Sequence, residues 1–142
     1  VDFQKVNPFF GDTRQKRLAT VIFRNSLFKI IPHTCPICGF KYENFLIASH
    51  IKPYAKCEDT YDAMNPNNGL LMCPICDKLF ESANYITIDY KTGNVICDSS
   101  IENESDFQYL HSRQLPIDYI DCERKHYFKW HNDEYFRKHK VS

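Results

Sequence analysis

The sequence predicts an α+β protein built as one small domain, and three features indicate this fold class. Apolar residues recur at helical spacing near both ends of the chain, short apolar runs typical of strands lie in the middle, and the tetrapeptide CPIC occurs twice around two of those runs. The 142 residues are 43% apolar and 15% aromatic, which suffices for a hydrophobic core and excludes a disordered protein. No apolar run is long enough to span a bilayer.

The first predicted element is an amphipathic helix from Arg14 to about Ile31, which Pro32 terminates. Its apolar positions recur near helical spacing and should face the core; they are Leu18, Val21, Ile22, Phe28 and Ile31. Basic residues cover much of the remaining surface, so this helix also has a face that could contact phosphates.

Two short strands and a helix are predicted in the middle of the chain. The first strand covers residues 45–47 and runs on to His50, a loop covers residues 52–67, and the second strand covers residues 70–72. A short helix over residues 77–84 follows the second strand.

The last third of the chain begins with a predicted β-hairpin. Its strands, residues 86–88 and 95–96, flank a turn at residues 91–94 that contains Gly93 and Asn94. Residues 99–122 are acidic and irregular. Residues 123–140 are predicted to form a C-terminal helix with four packing residues: Tyr127, Trp130, Tyr135 and Phe136.

Charge is distributed unevenly, although the formal net charge is zero. Residues 1–56 carry a net charge of +6, residues 57–123 carry −10, and residues 124–142 carry +4. Two basic arms around an acidic middle fit a polyanion held by the arms and a cation held in the middle. The same distribution is also compatible with an ordinary solvated surface.

We expect a single domain over residues 1–142. Residues 1–34 form an N-terminal arm and helix, residues 35–98 a stapled core with its hairpin, and residues 99–142 an acidic loop and C-terminal helix. Because the chain begins at Val1 and not at Met, a fragment of a larger protein is an open interpretation.

Two CxxC pairs, Cys35 with Cys38 and Cys73 with Cys76, predict a structural zinc site. Four thiolates complete a tetrahedron around zinc and leave no position for water or substrate. A redox dithiol is the alternative, but it would need only one of the pairs. Since the sequence has no secretory signal pattern, we expect a metal instead of disulfides, and a cytoplasmic location.

The segment between and after the two pairs contains three motifs in a fixed order: ASHIKPY, NPNNGLL, and CDKLFES followed by YITID. Asn68 precedes Cys73 by five residues. Together with the CxxC pairs, these motifs resemble HNH endonucleases of the ββα-metal superfamily, in the zinc-stapled type found as the nuclease domain of restriction-like enzymes. The resemblance covers about residues 35–98 and implies a small ββα-metal core, flanked by the N-terminal helix, the hairpin and the C-terminal helix.

The resemblance implies a metal-dependent DNA endonuclease that hydrolyses phosphodiester bonds. His50 is then the general base that takes a proton from water, and Asn68 either braces the loop of His50 or ligates the catalytic cation. This cation, Mg²⁺ or Mn²⁺, stabilises charge in the transition state. The competing interpretation of His50 is a satisfied polar residue at the end of a strand.

Asp77 stands directly after the second CxxC pair, where the resemblance leads us to expect a third histidine. The catalytic set is therefore His50, Asn68 and Asp77, and the Asp77 carboxylate is a suitable hard ligand for Mg²⁺ or Mn²⁺. Ser49 occupies a position where related proteins often have an aspartate ligand. Glu81 lies one turn after Asp77 and is either a further ligand or a solvated helix acid.

Double-stranded DNA is the expected partner, and five basic residues are candidate phosphate contacts: Lys52, Lys56, Lys78, Arg14 and Arg17. A recognition domain in the parent chain and a homodimer are further open expectations. The competing function is a catalytically inactive, zinc-stabilised module that binds nucleic acid or another protein.

Overall fold

A two-stranded antiparallel sheet followed by a short helix forms the centre of the fold. The computed structural model describes residues 13–136, apart from the side chain of Gln15. Strand β1 (Ile47–His50) pairs with strand β2 (Gly69–Met72). Their register places the last residue of β1 opposite the first residue of β2.

Four α-helices accompany this sheet in the described part of the chain. They are α1 (Thr13–Ile30), α2 (Thr60–Met64), α3 (Pro74–Asp77) and α4 (Arg124–Trp130). A π-helical segment, Lys78–Ser82, continues α3, and a second one, His131–Phe136, continues α4. None of the described helices is both long and apolar enough to cross a membrane.

The predicted hairpin is present as a second small sheet. Strand β3 (Ile86–Ile88) pairs with strand β4 (Val95–Cys97). The stretch predicted to be irregular after β4 contains two 3₁₀ segments, Ser105–Ser112 and Ile117–Tyr119. Helices and two antiparallel sheets thus share one small chain, and the predicted α+β class is confirmed.

The hydrophobic core is centred on β2, which is buried along its whole length. Leu70, Leu71 and Met72 have no solvent exposure. A strand that is covered on both faces needs a continuous apolar run instead of an alternating pattern, and the sequence GLLM supplies it. Tyr127 and Phe128 of α4 belong to the same core.

Helix α1 presents a different face to the core from the one predicted. Leu18 and Val21 are 46% and 52% exposed, so the prediction that they face the core is wrong. The buried side chains are spaced by four along the helix: Ala19, Phe23 and Leu27. The remaining predicted positions, Ile22, Phe28 and Ile31, are partly buried.

The connection between β1 and β2 is more regular than the loop predicted for residues 52–67, because it contains α2. Asp59 caps this helix by accepting the N–H of Asp62 on its carboxylate at 2.8 Å. Five residues are too few to show helical periodicity, so the apolar pattern alone did not indicate α2.

Other element boundaries also differ from the prediction. The helix predicted over residues 77–84 begins earlier, at Pro74, because Cys73 supplies its N-cap. Its π-helical continuation ends at Ser82, two residues before the predicted end. The arm before Thr13 and residues 137–140 of the predicted C-terminal helix lie outside the described residues.

Gly69 allows α1 and β2 to approach each other closely. A Cβ atom added at this position would lie 2.4 Å from Cζ of Phe23 and 2.8 Å from Cδ1 of Leu27. Both distances are shorter than van der Waals contact, so a side chain at Gly69 would displace the aromatic ring. Gly69 lies opposite His50 in the sheet. Close packing of α1 on Gly69 therefore also places α1 beside the end of β1.

We expect Gly69→Ala to lower the free energy of unfolding by about 2 kcal/mol, because it overpacks the contact with α1. Urea unfolding of the purified protein measures this. Phe23→Leu removes the ring atom that would clash, so Gly69→Ala should cost less in that background. Equal costs in the two backgrounds would contradict the clash.

Candidate active site

Four cysteine sulfurs form a single cluster in which all of them lie within 4.8 Å of one another: Cys35, Cys38, Cys73 and Cys76. The first pair lies on a tight turn, where Gly39 has a φ of +82° and donates its N–H to the carbonyl of Cys35 at 2.9 Å. The second pair begins α3, where Cys73 Sγ accepts the N–H of Cys76 at 3.3 Å. Within residues 13–136, no other group of three or more His, Cys, Asp or Glu side chains converges in this way.

The sulfur cluster fits a tetrahedral ion such as zinc. The Sγ atoms of Cys38 and Cys73 are 3.6 Å apart, and sulfurs about 2.3 Å from one zinc ion are about 3.8 Å apart. Hydrogen bonding to Cys35 and burial raise the pKa of Cys76, whereas the hydrogen bond from Cys76 lowers the pKa of Cys35 to about 5. Such closely packed sulfurs need a cation before they can all be thiolates. Four sulfur ligands leave zinc no open position, so the cluster is suited to a structural role.

His50, the last residue of β1, is 7% exposed and has a defined hydrogen bond on one ring nitrogen. Its Nε2 lies 2.7 Å from the carbonyl oxygen of Ala63 in α2. Because a carbonyl oxygen can only accept, Nε2 carries the proton and Nδ1 keeps its lone pair. Among the hydrogen bonds of the described residues, Nδ1 has no partner, so its lone pair is free to accept a proton.

The ring of Phe23 lies flat on the imidazole of His50, with 3.8 Å between the ring centroids and 5° between the planes. Tyr54 contacts the same imidazole edge-on at 6.2 Å. Burial lowers the pKa of His50 below 6.5, against a smaller raising effect of the hydrogen bond to Ala63. The imidazole is therefore neutral at pH 7, as a general base requires.

Asn68 is fully buried, and both ends of its amide hold the backbone around His50. Its Oδ1 accepts the N–H of Lys52 at 2.7 Å, and its Nδ2 donates to the carbonyls of Lys52 at 3.1 Å and Asp62 at 2.9 Å. These bonds join the chain after β1 to α2. Of the two predicted roles, they support bracing, and ligation of a cation by Asn68 stays a prediction.

Two carboxyl groups on the helix after β2 lie beside the end of β1. The hydroxyl of Ser49 donates to Oδ1 of Asp77, and the backbone N–H of His50 interacts with Glu81. Burial and then the negative charge of Asp77 raise the pKa of Glu81 to about 8. Once deprotonated, these two carboxyl groups supply hard oxygen ligands, so this donor set fits Mg²⁺ or Mn²⁺.

The basic residues predicted to contact phosphate differ in their surroundings. Arg14, Arg17, Lys56 and Lys78 are exposed. Lys52 is partly buried, and its ammonium group lies 5.2 Å from the ring centroid of Trp130, a cation–π contact. Contact of these five residues with DNA stays a prediction.

Sequence reasoning missed three groups that determine the position of His50: the ring of Phe23, the glycine at position 69 and the carbonyl of Ala63. Phe23 belongs to an apolar stripe spaced by four on α1, which differs from the stripe that the sequence predicts to face the core. The carbonyl of Ala63 has no sequence signal, because every residue has a backbone carbonyl. Only the capping aspartate Asp59 could have indicated α2.

We expect one tightly bound zinc ion per chain, whose removal by a chelator unfolds the protein, because metal binding and folding are coupled. Cys76→Ser should lose both the metal and the fold. Cys122→Ser, which changes an exposed cysteine outside the cluster, should keep both. Metal analysis and circular dichroism measure these outcomes, and a folded, metal-free Cys76→Ser protein would contradict the structural role.

We expect His50 to titrate below pH 6.5 in the folded protein, because burial disfavours the imidazolium form. Between about pH 6.5 and the lower folded-state pKa of His50, the unfolded state binds a proton that the folded state does not. The free energy of unfolding therefore falls as the pH decreases through this range. An NMR titration of the imidazole protons, assigned with His50→Gln, measures the pKa. A value above 6.5 would show that burial does not control this group.

A family model matches the middle of the chain: residues 35–89 match the model described as HNH endonuclease. No curated protein matches the chain. The matched segment contains all four clustered cysteines together with His50, Asn68, Asp77 and Glu81, whereas α1 and α4 lie outside it. The predicted resemblance to HNH endonucleases is confirmed over residues 35–89, whereas the zinc-stapled, restriction-like type stays a prediction.

Proposed function

We propose that the protein is a metal-dependent endonuclease that hydrolyses phosphodiester bonds in double-stranded DNA. The observation that carries this proposal is a buried histidine with a fixed Nε2–H at the end of β1, where Ser49 and the backbone of His50 contact two carboxyl groups. The carbonyl of Ala63 holds Nε2 of His50, while Ser49 and the backbone of His50 contact Asp77 and Glu81. The HNH endonuclease match over residues 35–89 supports the same class of reaction.

In this proposal, neutral Nδ1 of His50 takes a proton from a water molecule, whose oxygen attacks phosphorus. The bond between phosphorus and the 3′ oxygen breaks, the 3′ oxygen takes a proton from solvent, and the products carry a 5′-phosphate and a 3′-hydroxyl. Asp77 and Glu81 would hold Mg²⁺ or Mn²⁺, which when bound supplies stabilisation of the charge on the phosphate and leaving oxygens.

Ser49 and Asn68 have positioning roles in this proposal. Ser49 lies on the same strand as the base, and its hydroxyl donates a hydrogen bond that orients the carboxylate of Asp77. Asn68 ties Lys52, two residues after the base, to α2. Each side chain reduces the motion of a reacting or metal-binding group relative to the others, which lowers the cost of reaching the transition state.

We further propose that zinc occupies the four-cysteine cluster and that the chain is the cleavage domain of a restriction-type enzyme. The exposed basic residues Arg14, Arg17, Lys56 and Lys78, with Lys52, would contact phosphates, and such contacts are independent of base sequence. Recognition of a particular sequence would then need a further domain of the parent chain or the second copy in a homodimer.

Cleavage of supercoiled plasmid in Mg²⁺ or Mn²⁺ tests the proposal. We expect His50→Ala to slow cleavage by roughly 10²- to 10⁴-fold, because the general base is lost. Asp77→Asn keeps an acceptor for Ser49 but removes a negative charge from the cation site, so it should stop cleavage while the fold and the zinc content are retained. Asp106→Asn changes an exposed carboxylate outside the site and should cut like the wild type.

Equal cleavage rates for the wild type and His50→Ala would refute the role of His50. Wild-type protein that binds plasmid but does not cut it with either cation would favour the inactive nucleic-acid-binding module. Unfolding of Asp77→Asn would mean that this carboxylate is structural and that the cation ligand has been misplaced.

A further inference from the structure

Two consecutive backbone carbonyls of α2 hold the two central side chains of the site. The carbonyl of Asp62 accepts from Nδ2 of Asn68 at 2.9 Å, and the carbonyl of Ala63 accepts from Nε2 of His50 at 2.7 Å. A shift of α2 would therefore change the orientation of the imidazole and of the bracing amide together.

Helix α2 needs attachments to keep this position. It has five residues, and isolated helices of this length are unstable in water. On one side Met64 packs on Ala19 of α1, and both side chains are buried. Its polar attachments run to the start of α4, about sixty residues later in the chain.

Tyr127 of α4 makes the most deeply buried of these polar attachments, since its side chain is 1% exposed. Its hydroxyl donates to Oδ1 of Asp62 at 2.7 Å and accepts from Nδ2 of Asn65 at 3.2 Å. Burial and the hydrogen bond to Asp62 raise the pKa of Tyr127, so the phenol keeps its proton. A hydrogen bond from a buried phenol to a carboxylate is among the stronger kinds.

Glu123, one turn before Tyr127, holds the same segment. Its Oε1 accepts from the hydroxyl of Tyr61 at 2.9 Å and from Nδ2 of Asn65 at 2.9 Å, and its Oε2 accepts from Nδ2 of Asn67 at 3.3 Å. Glu123 is exposed, so water weakens these bonds relative to those of Tyr127.

We propose that Tyr127, assisted by Glu123, is a positioning residue that holds α2 so that the carbonyl of Ala63 stays aligned with Nε2 of His50. Helix α4 lies outside the segment that matches the HNH endonuclease family, so this assigns the C-terminal part of the chain a role in the site. The effect on cleavage rests on the proposed endonuclease function, whereas the effect on the protonation site of His50 does not.

Tyr127→Phe tests the proposal, because it removes the hydroxyl and keeps the buried ring. We expect kcat for plasmid cleavage to fall about tenfold or more while KM stays within about twofold, since small misplacement of a catalytic group costs rate and not binding. In ¹⁵N NMR spectra, wild-type His50 should be the Nε2–H tautomer, and Tyr127→Phe should show a mixture with the Nδ1–H tautomer. Melting temperature and metal content are measured on the same samples.

Two comparisons separate positioning from general stability. Tyr119 is a second buried tyrosine, 7% exposed and outside this network, and Tyr119→Phe should keep the wild-type kcat and His50 tautomer. Glu123→Gln keeps one oxygen that can accept from Tyr61 and Asn65, so it should lie closer to the wild type than Glu123→Ala.

Unchanged His50 nitrogen shifts in folded Tyr127→Phe would overturn the proposal, whatever the cleavage rate. If the wild type does not cut DNA, the proposed function fails, and the tautomer of His50 alone decides the positioning role. If Tyr127→Phe does not fold, Glu123→Ala takes its place, and a wild-type His50 tautomer in that variant overturns the proposal. An equal loss of kcat in Tyr119→Phe would also overturn it.

Discussion

The four-cysteine cluster is the constraint on which the rest of the structure depends. Strands β1 and β2 have four residues each, and a two-stranded sheet of that length is not stable alone in water. Cys35 and Cys38 precede β1, whereas Cys73 and Cys76 lie between β2 and α3. A metal shared by these sulfurs would close the whole segment and hold α3 against the sheet, so the helix carboxylates meet the end of β1.

Inside this segment, the polar groups fall into two classes. His50 and Asn68 are buried and bonded to backbone atoms, which removes the cost of burying them and limits their motion. Asp77 and Glu81 instead lie side by side, and burial and then the negative charge of Asp77 raise the pKa of Glu81 to about 8. In the proposed function, a bound cation would offset the charge of this pair, in keeping with the tendency of perturbed carboxyl pKa values to cluster at functional sites.

Features that depend on local spacing could be predicted from the sequence: the four clustered cysteines, both strand pairs, and the position of His50 at a strand end. The buried face of α1 could not, because Phe23 and Leu27 pack against Gly69, 46 residues after Phe23, and local spacing does not show this contact. Helix α2 and its bond to Tyr127 were also missed, since a backbone carbonyl and a partner 65 residues away leave no local pattern.

We propose that a neutral His50 adjoins a divalent cation held by Asp77 and Glu81. Paramagnetic broadening of NMR signals by Mn²⁺, added to the zinc-loaded protein, tests this claim most directly. We expect the signals of His50 and Ser49 to broaden at the lowest Mn²⁺ concentrations, and this broadening to disappear in Asp77→Asn. Mn²⁺ that broadens other regions first and leaves His50 sharp would contradict the claim.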